Sequence, residues 1–240
     1  MAIVYGNTTT YGQKIGILML DTHFPRVPGD IGNATSFPFP VAYRVVKEAN
    51  AETVVLKQDP ALIKPFIDAA KELQAEGCKC IVTSCGFMAI FHKEIAEALD
   101  VPVISSSLLQ AKLASNMVAG KKIGIITAKA PSLGEKHFNG VGIADVNKVV
   151  YGMEGTDFGS TFFNAADYMD LDKAEKDMVS VAKRMLSENP DVAAIVLECT
   201  NMPPFSHALR EATGLPVFDI IGLVRYVHDA IAAAPFQGYM

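Results

Sequence analysis

The chain lacks most of the features that announce a function. Four cysteines in 240 residues are too few and too scattered for a disulfide scaffold. Cys78 and Cys80 form a lone CxC, with no CxxC or HxxxH elsewhere to complete a metal set, so they read as buried structural thiols. Positive charge is also short. Twenty-one Lys and Arg against 26 Asp and Glu leave a net charge of −5, which provides no basic surface for nucleic acid. No GxGxxG follows a strand and no GxxxxGK[ST] occurs, so nucleotide cofactors have no support, and the expectation is no cofactor and no metal. Long apolar runs are missing as well. The early run Ile15 to Leu20 is too short to span a membrane, and no basic segment or cleavage pattern flanks it. The expectation is a cytoplasmic protein without a membrane partner.

What remains is ordinary in composition: half the residues are hydrophobic and a fifth are charged. A chain of this length can bury a proper core as one large domain or two small ones. Its distinctive feature is a repeat. Residues 81 to 103, IVTSCGFMAIFHKEIAEALDVPV, align without a gap on residues 195 to 217, IVLECTNMPPFSHALREATGLPV, with nine identities at an offset of 114. Each copy runs from an apolar segment into a cysteine, Cys85 or Cys199, then through a helical stretch to a second apolar segment opening with Pro-Val. KIGIL at Lys14 to Leu18 is echoed by KIGII at Lys122 to Ile126.

Apolar runs of strand length alternate with helical periodicity, which marks parallel α/β sheets covered on both faces. Strands are predicted at Lys14 to Leu20, Thr53 to Leu56, Lys79 to Thr83, Val101 to Ile104, Lys122 to Ile126, Val146 to Tyr151, Val192 to Leu197 and Leu215 to Phe218. Helices are predicted at Val41 to Ala49, after an Asp59 cap, at Gly86 to Leu99 and Ser105 to Val118, and around Met178 to Leu186. Two more are predicted, from about Pro203 and from Asp219. The repeat divides the chain into two similar units, residues 14–119 and 120–234, with a C-terminal segment that can cross back onto the first. Between the first strand and residue 41 lies a proline-rich loop, Asp21 to Pro40. Loops this long and irregular are usually functional. Its Gly29 to Asn33 run offers backbone amides and the Asn33 side chain to an anionic ligand.

In open parallel sheets, ligands bind beyond the carboxyl ends of the strands, where both cysteines fall. Each opens a turn into a helix, whose free N–H groups favour a thiolate or a carboxylate and can bring a thiol from ~8.5 toward neutrality. Two such thiols facing each other across a crevice can take a proton from one side of a carbon and return one from the other. The bland alternative is core thiols on a duplicated scaffold. Glu198, beside Cys199, either tunes that thiol or points to solvent on the opposite face, the second reading being slightly favoured. His23 is either a ligand contact or a surface residue.

These paired cysteines, half a chain apart, each between strand and helix and with Thr200 after the second, resemble the aspartate/glutamate/hydantoin racemase superfamily. The resemblance covers nearly the whole chain. It implies two pseudo-symmetric Rossmann-like units with parallel sheets and an active-site crevice between them. It also implies a cofactor-independent racemase or epimerase acting next to a carboxylate or equivalent carbonyl, on an amino acid or hydantoin type of substrate. By position, Cys85 and Cys199 would be the acid/base pair. Ser84, Gly86 and Phe87 would line the first half-site, and Thr200 and Asn201 the second. Asp21 and Thr127 would follow the first strand of each half. A homo-oligomer is a further expectation from the resemblance. The chain departs from glutamate racemases, which carry Cys-Asn-Thr where Cys85-Gly86-Phe87 stands and Cys-Thr-His where Cys199-Thr200-Asn201 stands. That puts glutamate in doubt as substrate, and Phe87 makes a more apolar pocket. Alternatives are a maleate-isomerase-like or arylmalonate-decarboxylase-like enzyme on the same scaffold, or a non-catalytic small-molecule sensor. Retention of both cysteines speaks against one-cysteine decarboxylase chemistry.

Overall fold

The apolar runs pair into two four-stranded parallel sheets of identical order, β2-β1-β3-β4 and β6-β5-β7-β8. The first uses β1 (Ile15–Leu20), β2 (Val41–Val46), β3 (Cys80–Thr83) and β4 (Val103–Ile104). The second uses β5 (Lys122–Thr127), β6 (Lys148–Gly152), β7 (Val192–Leu197) and β8 (Val217–Phe218). The structure is a computed structural model and describes residues 3, 6–163, 166–233, 235, 236 and 238. Ala234, the expected outer limit of the second unit, lies outside the described residues. β1 is wholly buried along its length, as expected of a central strand covered on both faces.

Eight helices cover the sheets among the described residues: α1 (Ile63–Ala75), α2 (His92–Glu97), α3 (Gln110–Met117), α4 (Glu135–Gly140), α5 (Asp157–Phe163), α6 (Leu171–Glu188), α7 (Ser206–Thr213) and α8 (Ile220–Ile231). Asp59, Asp170 and Asp219 each accept a backbone N–H at a helical start, satisfying donors that have no partner within the helix. α1 buries Phe66, Ala70 and Leu73, and α6 buries Ala174, Met178, Val181, Ala182 and Met185. α8 does not stay with the second sheet. Its Ile220, Ile221 and Val224 share a core with Ile15, Ile17, Met19, Cys80, Val82 and Ile104 of the first. The halves are thereby tied together by burial of apolar surface.

Two sequence expectations fail between β1 and α1. Val41 to Ala49 was expected to be helical, but Val41–Val46 pairs along its length with β1, from Ile15↔Val41 to Leu20↔Val46. The β-branched Val41, Val45 and Val46 suit a strand, and β1 supplies the ladder that sequence alone cannot show. The expected strand at Thr53 to Leu56 is a π-helical turn, Glu52–Leu56. Asn50 and Thr53 start it by each accepting the other's backbone N–H, both at 3.0 Å. Short helices α4 and α5 carry too few residues to show a period, and nothing in the sequence analysis anticipated them.

Candidate active site

Both cysteines sit just past the carboxyl ends of equivalent strands. β3 ends at Thr83 and β7 at Leu197. Beyond β3 the expected long helix is split: Gly86–Phe91 forms 3-10 turns and α2 follows. Beyond Cys199 a 3-10 turn, Pro203–Phe205, precedes α7. The two cysteine turns are stitched to each other. Thr200 Oγ1 donates to the Ser84 carbonyl at 2.5 Å, and Ser84 Oγ accepts the Leu20 amide at 2.9 Å. Ser107, on the segment leading into α3, donates to the Glu198 carbonyl at 3.2 Å.

The proline-rich loop closes over these turns. Ile31 donates to the Thr200 carbonyl, and Asn201 Nδ2 donates to Asp30 Oδ2 at 2.7 Å. Asp30 is buried and ion-paired with Arg26 at 2.8 Å, while Arg26 also donates to Thr22 Oγ1 and lies over the Phe24 ring. With Asn201 held this way, its Oδ1 accepts a hydrogen bond from the Cys199 thiol at 3.5 Å. The result is one cavity lined by Cys85 and Cys199, by Ser84, Gly86, Phe87, Thr200 and Asn201, and by the loop residues Thr22, Phe24 and Arg26. Glu198, Phe162, Leu20 and Val55 complete most of its wall.

The sequence-predicted set therefore converges in part. Ser84, Gly86, Phe87, Thr200 and Asn201 join the cysteines; Asp21, Asn33 and Thr127 do not line the cavity. Asp21 is turned outward and pairs with exposed His23 at 3.1 Å, which makes His23 a surface residue. Asn33 is consumed in shaping the loop, donating to the Arg26 carbonyl and accepting from Thr35. Thr127 is fully buried and donates to Glu198 Oε2 at 2.6 Å. Glu198 is the largest correction. It is 0% exposed and borders the cavity, because β7 is covered on both faces at its carboxyl end and leaves no solvent side for the next residue. Its only sequence signal was a charge at the end of an apolar strand. Arg26, Phe24 and Phe162 had no signal; the fold of the loop and of α5 brings them in.

Electrostatics overturn the expectation of thiols near neutrality. Burial and then the Glu198 charge push the Cys85 thiol up to about 12, opposed by the Phe87 N–H. Burial and the same charge drive Cys199 well above the ordinary thiol range, opposed by the Asn201 N–H. The 3-10 turns are too short to offer a full helix dipole. Burial likewise raises Glu198 itself to about 7, with the Thr127 hydrogen bond opposing. Among the described residues no group of three His, Cys, Asp or Glu is arranged to hold a metal ion, and no helix is long and apolar enough to cross a membrane.

Residues 42–224 match the family model described as Asp/Glu/hydantoin racemase. The chain belongs to the Asp/Glu/hydantoin racemase family. The racemase-family fold is shared with unliganded arylmalonate decarboxylase, at a TM-score of 0.60 and 16% identity over 95% of each chain. In sequence, this member of the family is 36% identical over 216 residues to a dimethylsulfoniopropionate lyase of Durusdinium sp. clade D, covering 87% of this chain and 71% of that one. It is 34% identical to dimethylsulfoniopropionate lyase 7 of Emiliania huxleyi (strain CCMP1516), over 87% of this chain and 64% of that one. The family is one of enzymes, and these relatives carry a lyase name rather than a racemase name.

Proposed function

We propose that this chain is a lyase that eliminates dimethyl sulfide from dimethylsulfoniopropionate or a closely similar β-sulfonio carboxylate. The observation that carries the reading is a pair of cysteines on one small cavity, in a chain 36% identical to a dimethylsulfoniopropionate lyase. The cavity is small, about 50 Å³ in internal volume.

Arg26 receives the carboxylate. Its Nη1 and Nη2 each spend a bond, on Asp30 and Thr22, and a guanidinium has further donors to offer. The S-methyl groups rest on the apolar wall of Phe24, Phe87, Phe162, Leu20 and Val55, where a sulfonium gains from aromatic faces. A thiolate from Cys85 or Cys199 removes a proton from the carbon next to the carboxylate. The electron pair forms the C=C bond, the neighbouring C–S bond breaks, and dimethyl sulfide and acrylate leave. Negative charge developing on the carboxylate is held by Arg26.

A second reading is favoured by the matching position of the two cysteines in the repeat. Racemisation by 1,1-proton transfer needs two opposed acid/base groups, whereas elimination needs one base. One experiment separates the readings. The protein is incubated in deuterated water with dimethylsulfoniopropionate and, separately, with single-enantiomer amino acids and 5-substituted hydantoins. Release of dimethyl sulfide with acrylate supports the lyase. Absence of dimethyl sulfide, with deuterium entering a chiral substrate as its optical rotation decays, refutes it in favour of the racemase.

A further inference from the structure

The two cysteine turns are equivalent but not identical, and a buried carboxylate of the proline-rich loop sets the difference. Each thiol has a backbone N–H two residues ahead that favours its anion, that of Phe87 for Cys85 and that of Asn201 for Cys199. The side chains at those matched positions differ. Asn201 turns its Oδ1 to the Cys199 thiol at 3.5 Å, whereas the apolar side chain of Phe87 offers Cys85 no such acceptor. An amide can present either its oxygen or its nitrogen to a neighbour, and here Asp30 makes the choice. Asp30 is 2% exposed. Its Oδ1 accepts from Arg26 Nη1 at 2.8 Å and from the Gly32 N–H at 2.7 Å, and its Oδ2 accepts from Asn201 Nδ2 at 2.7 Å. A carboxylate paired with a guanidinium only accepts, so Asn201 must give it the nitrogen and keeps the oxygen for Cys199. Asp30 is itself pinned, its carbonyl accepting from Ser36 Oγ at 2.7 Å and from the Asn33 N–H. The amides of the Gly29 to Asn33 run are thus spent within the protein and not on a ligand.

We propose that Asp30 is the positioning residue that makes the two cysteines unlike: through Asn201 it holds Cys199 as a thiol, so that removal of the substrate proton falls to Cys85. Ionising Cys199 breaks its bond to Asn201 and sets a thiolate against a carbonyl oxygen. Ionising Cys85 loses no such bond at the matched position. The other oxygen of Asp30 fixes Arg26, so one buried carboxylate places both the receiver of the substrate carboxylate and the amide that faces a thiol. The charged and titratable groups about Cys199 are Glu198 before it, Cys85 and Arg26 on the same cavity, and Asp30 beyond Asn201. Asn201 is neutral, and its orientation is the contact that Asp30 controls. The choice of Cys85 as base rests on the lyase reading; the action of Asp30 on Cys199 does not.

The test is a double-mutant cycle on the full chain, read without substrate. In Asp30→Asn, Arg26 and Gly32 still need an acceptor, so the new amide keeps its oxygen there and turns its nitrogen to residue 201. Asn201 must then offer its oxygen to position 30 and its nitrogen to Cys199, where an N–H favours the thiolate. Iodoacetamide alkylation of Cys199 at pH 8, followed by mass spectrometry, should accelerate at least ~10-fold. Cys85 in the same molecule reports any general opening of the cavity and should change by less than ~3-fold. In an Asn201→Leu background there is no amide to turn, and Asp30→Asn should accelerate Cys199 at least ~3-fold less. The charge of Asp30 is lost equally in both backgrounds. Equal acceleration in both therefore means that Asp30 acts by charge alone, which overturns the proposal, as does a matching rise at Cys85. Should Asp30→Asn fail to fold, Asn201→Leu decides alone: the ratio of Cys199 to Cys85 alkylation should rise, and an unchanged ratio overturns the proposal. With dimethylsulfoniopropionate, Cys85→Ser should release dimethyl sulfide at least ~10-fold more slowly than Cys199→Ser; equal rates or the opposite order overturn the choice of base. If wild type releases no dimethyl sulfide while the cycle behaves as stated, the lyase reading fails and the role of Asp30 stands. If dimethyl sulfide is released and the cycle is additive, the reverse holds.

Discussion

Glu198→Gln provides a test of the fold's electrostatics that is independent of any substrate. The carboxyl's folded-state pKa is raised from 4.5 to about 7, chiefly by burial. A raised carboxyl binds its proton more tightly in the folded state than in the unfolded one. Its contribution to stability is therefore fully present below pH 4.5 and is lost as pH rises to about 7. About two and a half pH units at 1.36 kcal/mol each amount to about 3 kcal/mol, an order-of-magnitude figure for a buried group. Gln keeps an oxygen for the Thr127 hydroxyl and carries no charge, so the variant lacks this dependence. Wild type itself does not report it cleanly, because burial lowers His92 and His137. For those imidazoles, stability is lost as pH falls, in an overlapping window. Subtracting wild type from variant cancels that contribution. Urea unfolding at pH 5 and pH 8 is the assay, and the ionisation of unfolded-state thiols near pH 8 is common to both proteins and cancels in the difference. Glu198→Gln should gain about 2–3 kcal/mol relative to wild type between the two. A difference that does not change with pH would refute the burial argument, and with it the electrostatic account of the raised thiols.

Three further outcomes follow from the same geometry. Cys85→Ser and Cys199→Ser, measured separately by dimethyl sulfide release, should show which thiol is the base through a loss of about 10²–10⁴-fold; near-wild-type rates in both would remove the thiols from the mechanism. Arg26→Met leaves buried Asp30 without its cation and should destabilise by on the order of 3 kcal/mol in urea unfolding, while raising KM for the carboxylate substrate. Gly86→Ala forces a methyl group against Glu198 and should cost about 1–3 kcal/mol as well as most of the activity. A fully active, equally stable Gly86→Ala would mean that Glu198 does not stand behind that residue.

The two halves show why part of this was legible in advance. Strands buried on both faces, such as Ile15–Leu20 and Val192–Leu197, must be apolar throughout, and that continuity is a property of the sequence. So is the repeat, which placed Cys85 and Cys199 at equivalent strand ends, and so are the aspartates capping helical starts. β2 was misread because an edge strand half-exposed to solvent carries a mixed pattern, and its identity depends on β1 lying alongside. Glu198 was misread because a charge at a strand end reads as solvent-facing, whereas both faces of β7 are covered there.

By itself, then, the sequence determined the α/β class, the duplicated order of its elements and the presence of two cysteines at strand ends. Those depend on local periodicity and on residues near one another along the chain. Tertiary structure alone decided the state of those cysteines. The proline-rich loop contributes Arg26 and Phe24, α5 contributes Phe162, and the end of β7 turns Glu198 inward. None of these is near Cys85 in sequence, yet they set the dielectric and charge that the thiols experience. Proton affinity depends on what surrounds a group in three dimensions, and Cys85 and Cys199 acquire theirs only when both halves and the loop have closed on the same cavity.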